Sequence, residues 1–227
     1  MRKLNAPGDS VQDVFSTCIE SYRDAALKNR LRSIVPVLSD EASRFEDCVL
    51  TSKTHTIPTA DNVGGVVSKA EMLDIYESKF VKGTGRPYYD KYMSLPTNGK
   101  CPFCGIGTVS TLDHYLPKSK YPALAITPKN MIPACRDCNL GKKRTFSPQN
   151  SEEEPLHPYF DDVEQDIWLS VRFEVAGKEL VPTYFVRKPV AWNDLLFRRV
   201  ENHMVLYNLY TCLLYTSDAA DERSSVD

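Results

Sequence analysis

The sequence predicts an α+β protein: a helical N-terminal part, a metal-stapled centre of two strands and a helix, and a C-terminal extension with a hairpin and a helix. Three observations carry that expectation. Apolar residues recur every three or four positions near the N-terminus. Two Cys-x-x-Cys pairs, Cys101/Cys104 and Cys135/Cys138, stand in the middle. Residues 167–175 alternate well enough for a strand before a Gly177-Lys178 turn into Leu180–Val186. At 227 residues, 42% hydrophobic and 26% charged, the chain has room for one large domain or two small ones and an ordinary globular composition. No apolar run approaches a membrane span.

In the N-terminal part, Val11, Val14, Phe15, Cys18, Ile19, Tyr22 and Ala26 share a helical face, with Asp9 or Ser10 placed to cap it. Pro36 separates this from a second helix near 39–51, where Phe45 and Val49 face one way. Residues 56–65 read as a turn-rich linker. A third helix starts at Ser68, because Ser68-Lys-Ala-Glu71 has capping-box spacing and Leu73, Tyr76 and Phe80 follow on one face. Cys18 and Cys48 lack a spaced partner and read as core residues. His55, in a polar run, reads as a solvated loop residue.

The paired cysteines point to a closed structural zinc site, since each Cys-x-x-Cys turn brings two thiolates to one ion. Disulfides and buried apolar cysteines are the alternatives. The chain shows no signal peptide, so a reducing, cytoplasmic compartment, where disulfides are rare, is expected. Thirty residues lie between the pairs, enough for a small substructure. There, 108–112 suits a strand that delivers Asp113 and His114, with Pro117 ending the pairing. Met131-Ile132 suits a second strand, and a helix can run from Cys138 to Arg144, although Gly141 weakens it. Taken singly, Asp113-His114 could be a polar turn, His114 a zinc ligand and Asn139 a helix cap.

Charge is unevenly spread. The net formal charge is −2, yet 79–146 holds twelve Lys/Arg against three Asp/Glu, and 150–166 holds seven acidic residues and no Lys or Arg. Cations bind phosphates and release counterions, so the basic block is where a polynucleotide would lie. Its candidate contacts are Arg86, Lys118, Lys120, Lys142, Lys143 and Arg144. Tyr88, Tyr89 and Tyr92 beside Arg86 suit base stacking or packing on the metal module equally well.

The central stretch resembles the HNH (ββα-metal) endonucleases stabilised by two Cys-x-x-Cys zinc knuckles. The matching residues are Asp113-His114, Asn130 before an apolar pair, and Cys135-x-x-Cys138-Asn139-x-x-Lys142. Gly85–Asp90, DHYLPKSKYP and His157–Asp161 look like the PtuB-like HNH proteins of Septu and some retron anti-phage systems, which are encoded beside an AAA-type ATPase. The resemblance implies His114 as general base, and Asp113 and Asn139 as ligands of one catalytic Mg²⁺ or Mn²⁺. It makes Asn130 the residue that fixes the loop so that His114 is aimed. It also implies an ATPase partner and hydrolysis of nucleic acid, DNA favoured over RNA. The rival readings are a non-catalytic zinc-stapled module that binds nucleic acid, or one that docks on the ATPase through 150–166.

The expected divisions are a helical region at 1–84, a nuclease module with structural zinc at 85–150 and an extension at 151–211. In the extension, Trp192–Tyr210 reads as an amphipathic helix bearing Leu195, Leu196, Val200, Met204 and Tyr207, with His203 packed or exposed rather than catalytic. His157 reads as a turn residue or a substrate contact. Residues 212–227 resemble the in-frame translation of a transposase-type sequencing adapter, so they are set aside from fold reasoning and Cys212 is given no role.

Overall fold

Ser10 opens α1 (Val11–Ile19) by accepting the Asp13 N–H at 3.1 Å. In this computed structural model, which describes residues 1–140, 146–177 and 179–214, the helix stops at Ile19 instead of continuing to Ala26. The reason is Asp24, whose carboxylate accepts the amides of Ala26 and Leu27 and so starts a separate α2 (Ala25–Arg32). Helix α3 (Val35–Leu50) begins earlier than expected. Pro36 sits in its first turn, where a missing N–H costs nothing, and does not divide two helices. The linker folds into a miniature hairpin of β1 (Asn62–Val63) and β2 (Val67–Ser68), turned by Gly64 and Gly65 at positive φ. Ser68 and Glu71 make both bonds of a capping box and launch α4 (Lys69–Asp74), which widens into a π-helical stretch over Ile75–Val81. After it, α5 (Arg86–Met93) follows closely packed Gly85, where a Cβ would fall 2.6 Å from Cys18 Sγ.

The centre is an antiparallel pair, β3 (Thr111–His114) and β4 (Met131–Ala134), with Thr111 opposite Ala134 and His114 opposite Met131. Helix α6 (Arg136–Leu140) starts inside the second cysteine pair, two residues before the expected Cys138. Lys142, Lys143 and Arg144 lie outside the described residues. Both faces of the ladder are covered. Leu112 and Met131 join Phe15, Leu38 and Phe80 in an N-terminal core. Ile132 and Ala134 join Phe45, Phe103, Val200 and Met204 in a second core.

The C-terminal extension pairs β5 (Leu169–Ala176) with β6 (Glu179–Val186), and Gly177 turns the hairpin at φ +66. Asn193 caps α7 (Asp194–Leu206). Tyr207 stacks on Phe103 at 4.6 Å, and His203 Nε2 donates to the Phe103 carbonyl at 2.9 Å, so α7 seals the first cysteine pair from beneath. Among the described residues, no helix is long and apolar enough to cross a membrane.

Two expectations change here. His55 is not a solvated loop residue: its Nδ1 lies 2.8 Å from Glu154, a fully buried carboxylate. The acidic stretch is also largely engaged inside the molecule. Arg199, itself buried, grips Asp161 with two nitrogens at 2.7 and 3.0 Å and donates to the carbonyls of Glu154 and Pro155. Asp166 accepts the Trp192 indole N–H at 2.8 Å. Breaking a buried pair on one side strands the other charge. Arg199→Met is therefore expected to cost about 3–5 kcal/mol, read as a lower urea midpoint, with Asp161 and two carbonyls left without their donor.

Candidate functional site

The sulfur atoms of Cys101, Cys104, Cys135 and Cys138 all lie within 4.8 Å of one another, with Cys104 and Cys135 at 3.8 Å. A tetrahedral ion with metal–sulfur bonds near 2.3 Å sets neighbouring sulfurs about 3.8 Å apart, so the quartet could hold zinc. The local backbone is folded to make it. Gly105 N–H donates to the Cys101 carbonyl at 2.7 Å, Cys101 N–H to Gly107 O at 2.8 Å, and Gly107 N–H to Cys104 Sγ at 3.3 Å. Gly107 is required by packing, because a Cβ there would lie 2.8 Å from both Cys135 Cβ and Sγ. Crowded thiols cannot all be charged alone. Hydrogen bonding from Cys101 holds Cys104 well below the ordinary thiol range, and the same contact pushes Cys101 up. Among the described residues this is the only group of three or more His, Cys, Asp or Glu side chains arranged for a metal.

Next to the quartet, β3 carries Asp113 and His114, both nearly buried at 8% and 7% exposure. Strand alternation sends their side chains to opposite faces. Asp113 shares its face with Thr111, whose hydroxyl accepts from Asn139 Nδ2 at 2.9 Å, so α6 brings the Asn139 amide beside the Asp113 face. The Asp113 carboxylate bends forward and accepts the His114 backbone N–H at 2.7 Å. On the other face, the His114 ring meets the Tyr76 ring edge-on at 4.8 Å, and its Nε2 lies 2.9 Å from the Ala125 carbonyl. A carbonyl only accepts, so Nε2 carries the proton and the neutral ring has its lone pair on Nδ1. Asn130, fully buried, accepts the Leu116 N–H at 2.8 Å and donates to the carbonyls of Leu116 and Leu124.

The described cations of the basic block are loosely held. Lys118 pairs with Glu77 at 3.1 Å and sits 4.1 Å above the Tyr76 ring. Arg86 pairs with Asp90 at 2.8 Å and lies 4.8 Å from the Tyr89 ring centre. Lys120 is half-buried. Of the tyrosines, Tyr92 is fully buried while Tyr88 and Tyr89 are half-buried, so packing accounts for the first. His157 is buried against Tyr115, with ring centres 4.4 Å apart, and its Nδ1 accepts the Tyr159 N–H, which makes it a core ring.

Sequence reasoning missed Tyr76 and the Ala125 carbonyl, which both touch His114. It gave Tyr76 only its helical periodicity, and a backbone carbonyl has no residue signature at all. It also missed Arg199, although Arg199, His203 and Tyr207 fall on one face of α7 by their four-residue spacing.

The purified chain is expected to hold one zinc per molecule, measured by elemental analysis. Cys135→Ser should lose it and unfold the centre, because structural zinc contributes on the order of 10 kcal/mol to small modules. Gly107→Ala should weaken retention against a chelator by displacing the Cys135 side chain.

The chain is 28% identical to protein ea31 of Escherichia phage lambda, over 92% of this chain and 74% of that protein. It is 31% identical to Septu protein PtuB of Bacillus thuringiensis, over 42% of this chain and 38% of PtuB. No family model matches the chain, and no solved structure matches it.

Proposed function

We propose that this chain is a metal-dependent endonuclease of the HNH type. It would hydrolyse phosphodiester bonds of nucleic acid, DNA in preference to RNA, as the effector of an anti-phage system with an AAA-type ATPase partner. The observation that carries this reading is the fixed imidazole of His114, protonated on Nε2 by its bond to Ala125, beside a carboxylate at the end of a strand stapled by four thiols. The PtuB match supports the defence setting.

In this reading, His114 Nδ1 takes a proton from the attacking water. Asp113 and Asn139 offer hard oxygen ligands, and a Mg²⁺ or Mn²⁺ ion held there would act as a Lewis acid on the scissile phosphate. Two protein ligands suit magnesium, which keeps much of its water shell. Asn130 holds the loop after β3 so that the His114 backbone cannot swing. Lys118 and Arg86 exchange exposed carboxylate partners for phosphates, at small cost because exposed ion pairs are worth about 0–1 kcal/mol. Lys120, Lys142, Lys143 and Arg144 extend the same basic surface.

A second reading, a non-catalytic nucleic-acid-binding module, is favoured by the burial of Asp113 and His114 and by their opposite faces. The experiment that separates the two is incubation with plasmid DNA and with total RNA, in magnesium, manganese or chelator, with and without an ATPase partner. His114→Ala and Asp113→Ala are each expected to lower cleavage by about 10²-fold or more while zinc content, thermal midpoint and nucleic-acid binding persist. Undiminished cutting by the His114→Ala protein would remove the nuclease assignment. Binding without any metal-dependent cutting would leave the second reading.

A further inference from the structure

We infer that the outer face of the β5–β6 hairpin is a self-association surface, on which a second copy of this chain docks about a two-fold axis. The register sends Val171, Phe173 and Val175 to one face of β5, opposite Tyr184, Pro182 and Leu180 on β6. No charged residue interrupts this face. Arg172 and Glu174 fall on the reverse face, where Arg172 lies over the Phe185 ring. The apolar face is largely open to water: Phe173 is 60% exposed, Leu180 68% and Val175 76%. Only the base of the hairpin is anchored, by buried Val186 and by the Arg187 N–H bonded to the Trp168 carbonyl at 2.7 Å.

A lone two-stranded hairpin is marginal in water, and a contiguous exposed apolar face of this kind marks a contact surface. Its chemistry selects the occupant. Without charge or buried polar groups it has nothing with which to recognise phosphate or a charged peptide. A two-fold copy presents the same neutral, flat surface, so it is complementary to itself and brings no like charges together. Stacked face to face about 10 Å apart, the two hairpins form a four-stranded sandwich with apolar side chains inside and the Arg172–Glu174 faces outside. The exposed apolar area is about 600 Å² on one copy, so a pair buries ~1,200 Å², at the lower edge of specific interfaces. This inference is independent of the nuclease reading.

Sedimentation velocity over a concentration series tests it, comparing the full chain with Phe173→Asp/Val175→Asp and with the reverse-face Glu174→Lys. The native chain and Glu174→Lys should pass from monomer to dimer as concentration rises. The double variant should dissociate at least about tenfold more readily. Its altered residues are already exposed, so its circular dichroism and thermal midpoint should match those of the native chain. A native chain that stays monomeric at every concentration overturns the proposal, as does a dimer that survives the double substitution. A monomer that instead takes up lipid vesicles or a different protein through Phe173 and Val175 assigns the face to that partner, and overturns it equally.

Discussion

Two strands of four residues are too short to stand alone in water, and in this molecule β3 and β4 are clamped at both ends. At the Thr111–Ala134 end, one cysteine pair precedes β3 and the other follows β4, so a single ion bound by four sulfurs would tie both strands and the start of α6 together. At the His114–Met131 end, Asn130 sews the connecting loop to the backbone on both sides. Everything chemical in the centre is mounted between these clamps. The thiol quartet is the stronger of the two, since zinc binding in a small module is folding energy outright.

The two cores divide the remaining work. The N-terminal helices cover the Leu112–His114 face and supply Tyr76 against the imidazole. The C-terminal extension covers the other face, where α7 seals the first knuckle through His203, Tyr207 and Phe103. Its acidic approach segment is held by Arg199 and by His55, so much of the negative charge in 150–166 is neutralised locally. The cations around Tyr76 and Tyr89 keep only exposed partners. A net charge of −2 thus conceals a molecule whose acids are used for folding and whose bases are spent on weak, exchangeable pairs.

What could be read from the sequence follows how local the controlling interactions are. Ser10, the Ser68–Glu71 capping box and the Gly177 turn act within four residues and were legible, as were the cysteine pairs and both hairpin strands. The break between α1 and α2 was misjudged because apolar periodicity continues through Tyr22 and Ala26, while the deciding bonds come from Asp24 to its neighbouring amides. His55 was misjudged because its partner, Glu154, is 99 residues away. The Arg199 fork and the Ala125 carbonyl beneath His114 are long-range too. At the candidate site, residue types announced Asp113, His114, Asn130 and Asn139, but not that alternation would turn the first two apart.

That opposition locates the demand on the fold. A regular strand cannot aim adjacent side chains at one point, so any concerted action of Asp113 and His114 needs the pleat to end with them. It does: Tyr115 N–H bonds to the Asn130 carbonyl, Leu116 N–H to the Asn130 side chain, and the Asp113 carboxylate folds onto the next amide. The side chain at 130 must accept one bond and donate two from a site without water. Aspartate could accept but not donate, and serine has a single proton to give. Either would leave buried backbone groups unpaired at about 1–3 kcal/mol each. A primary amide of this length meets the requirement with one planar group, and the direction of the His114 ring is thereby tied to a residue that never has to touch a substrate.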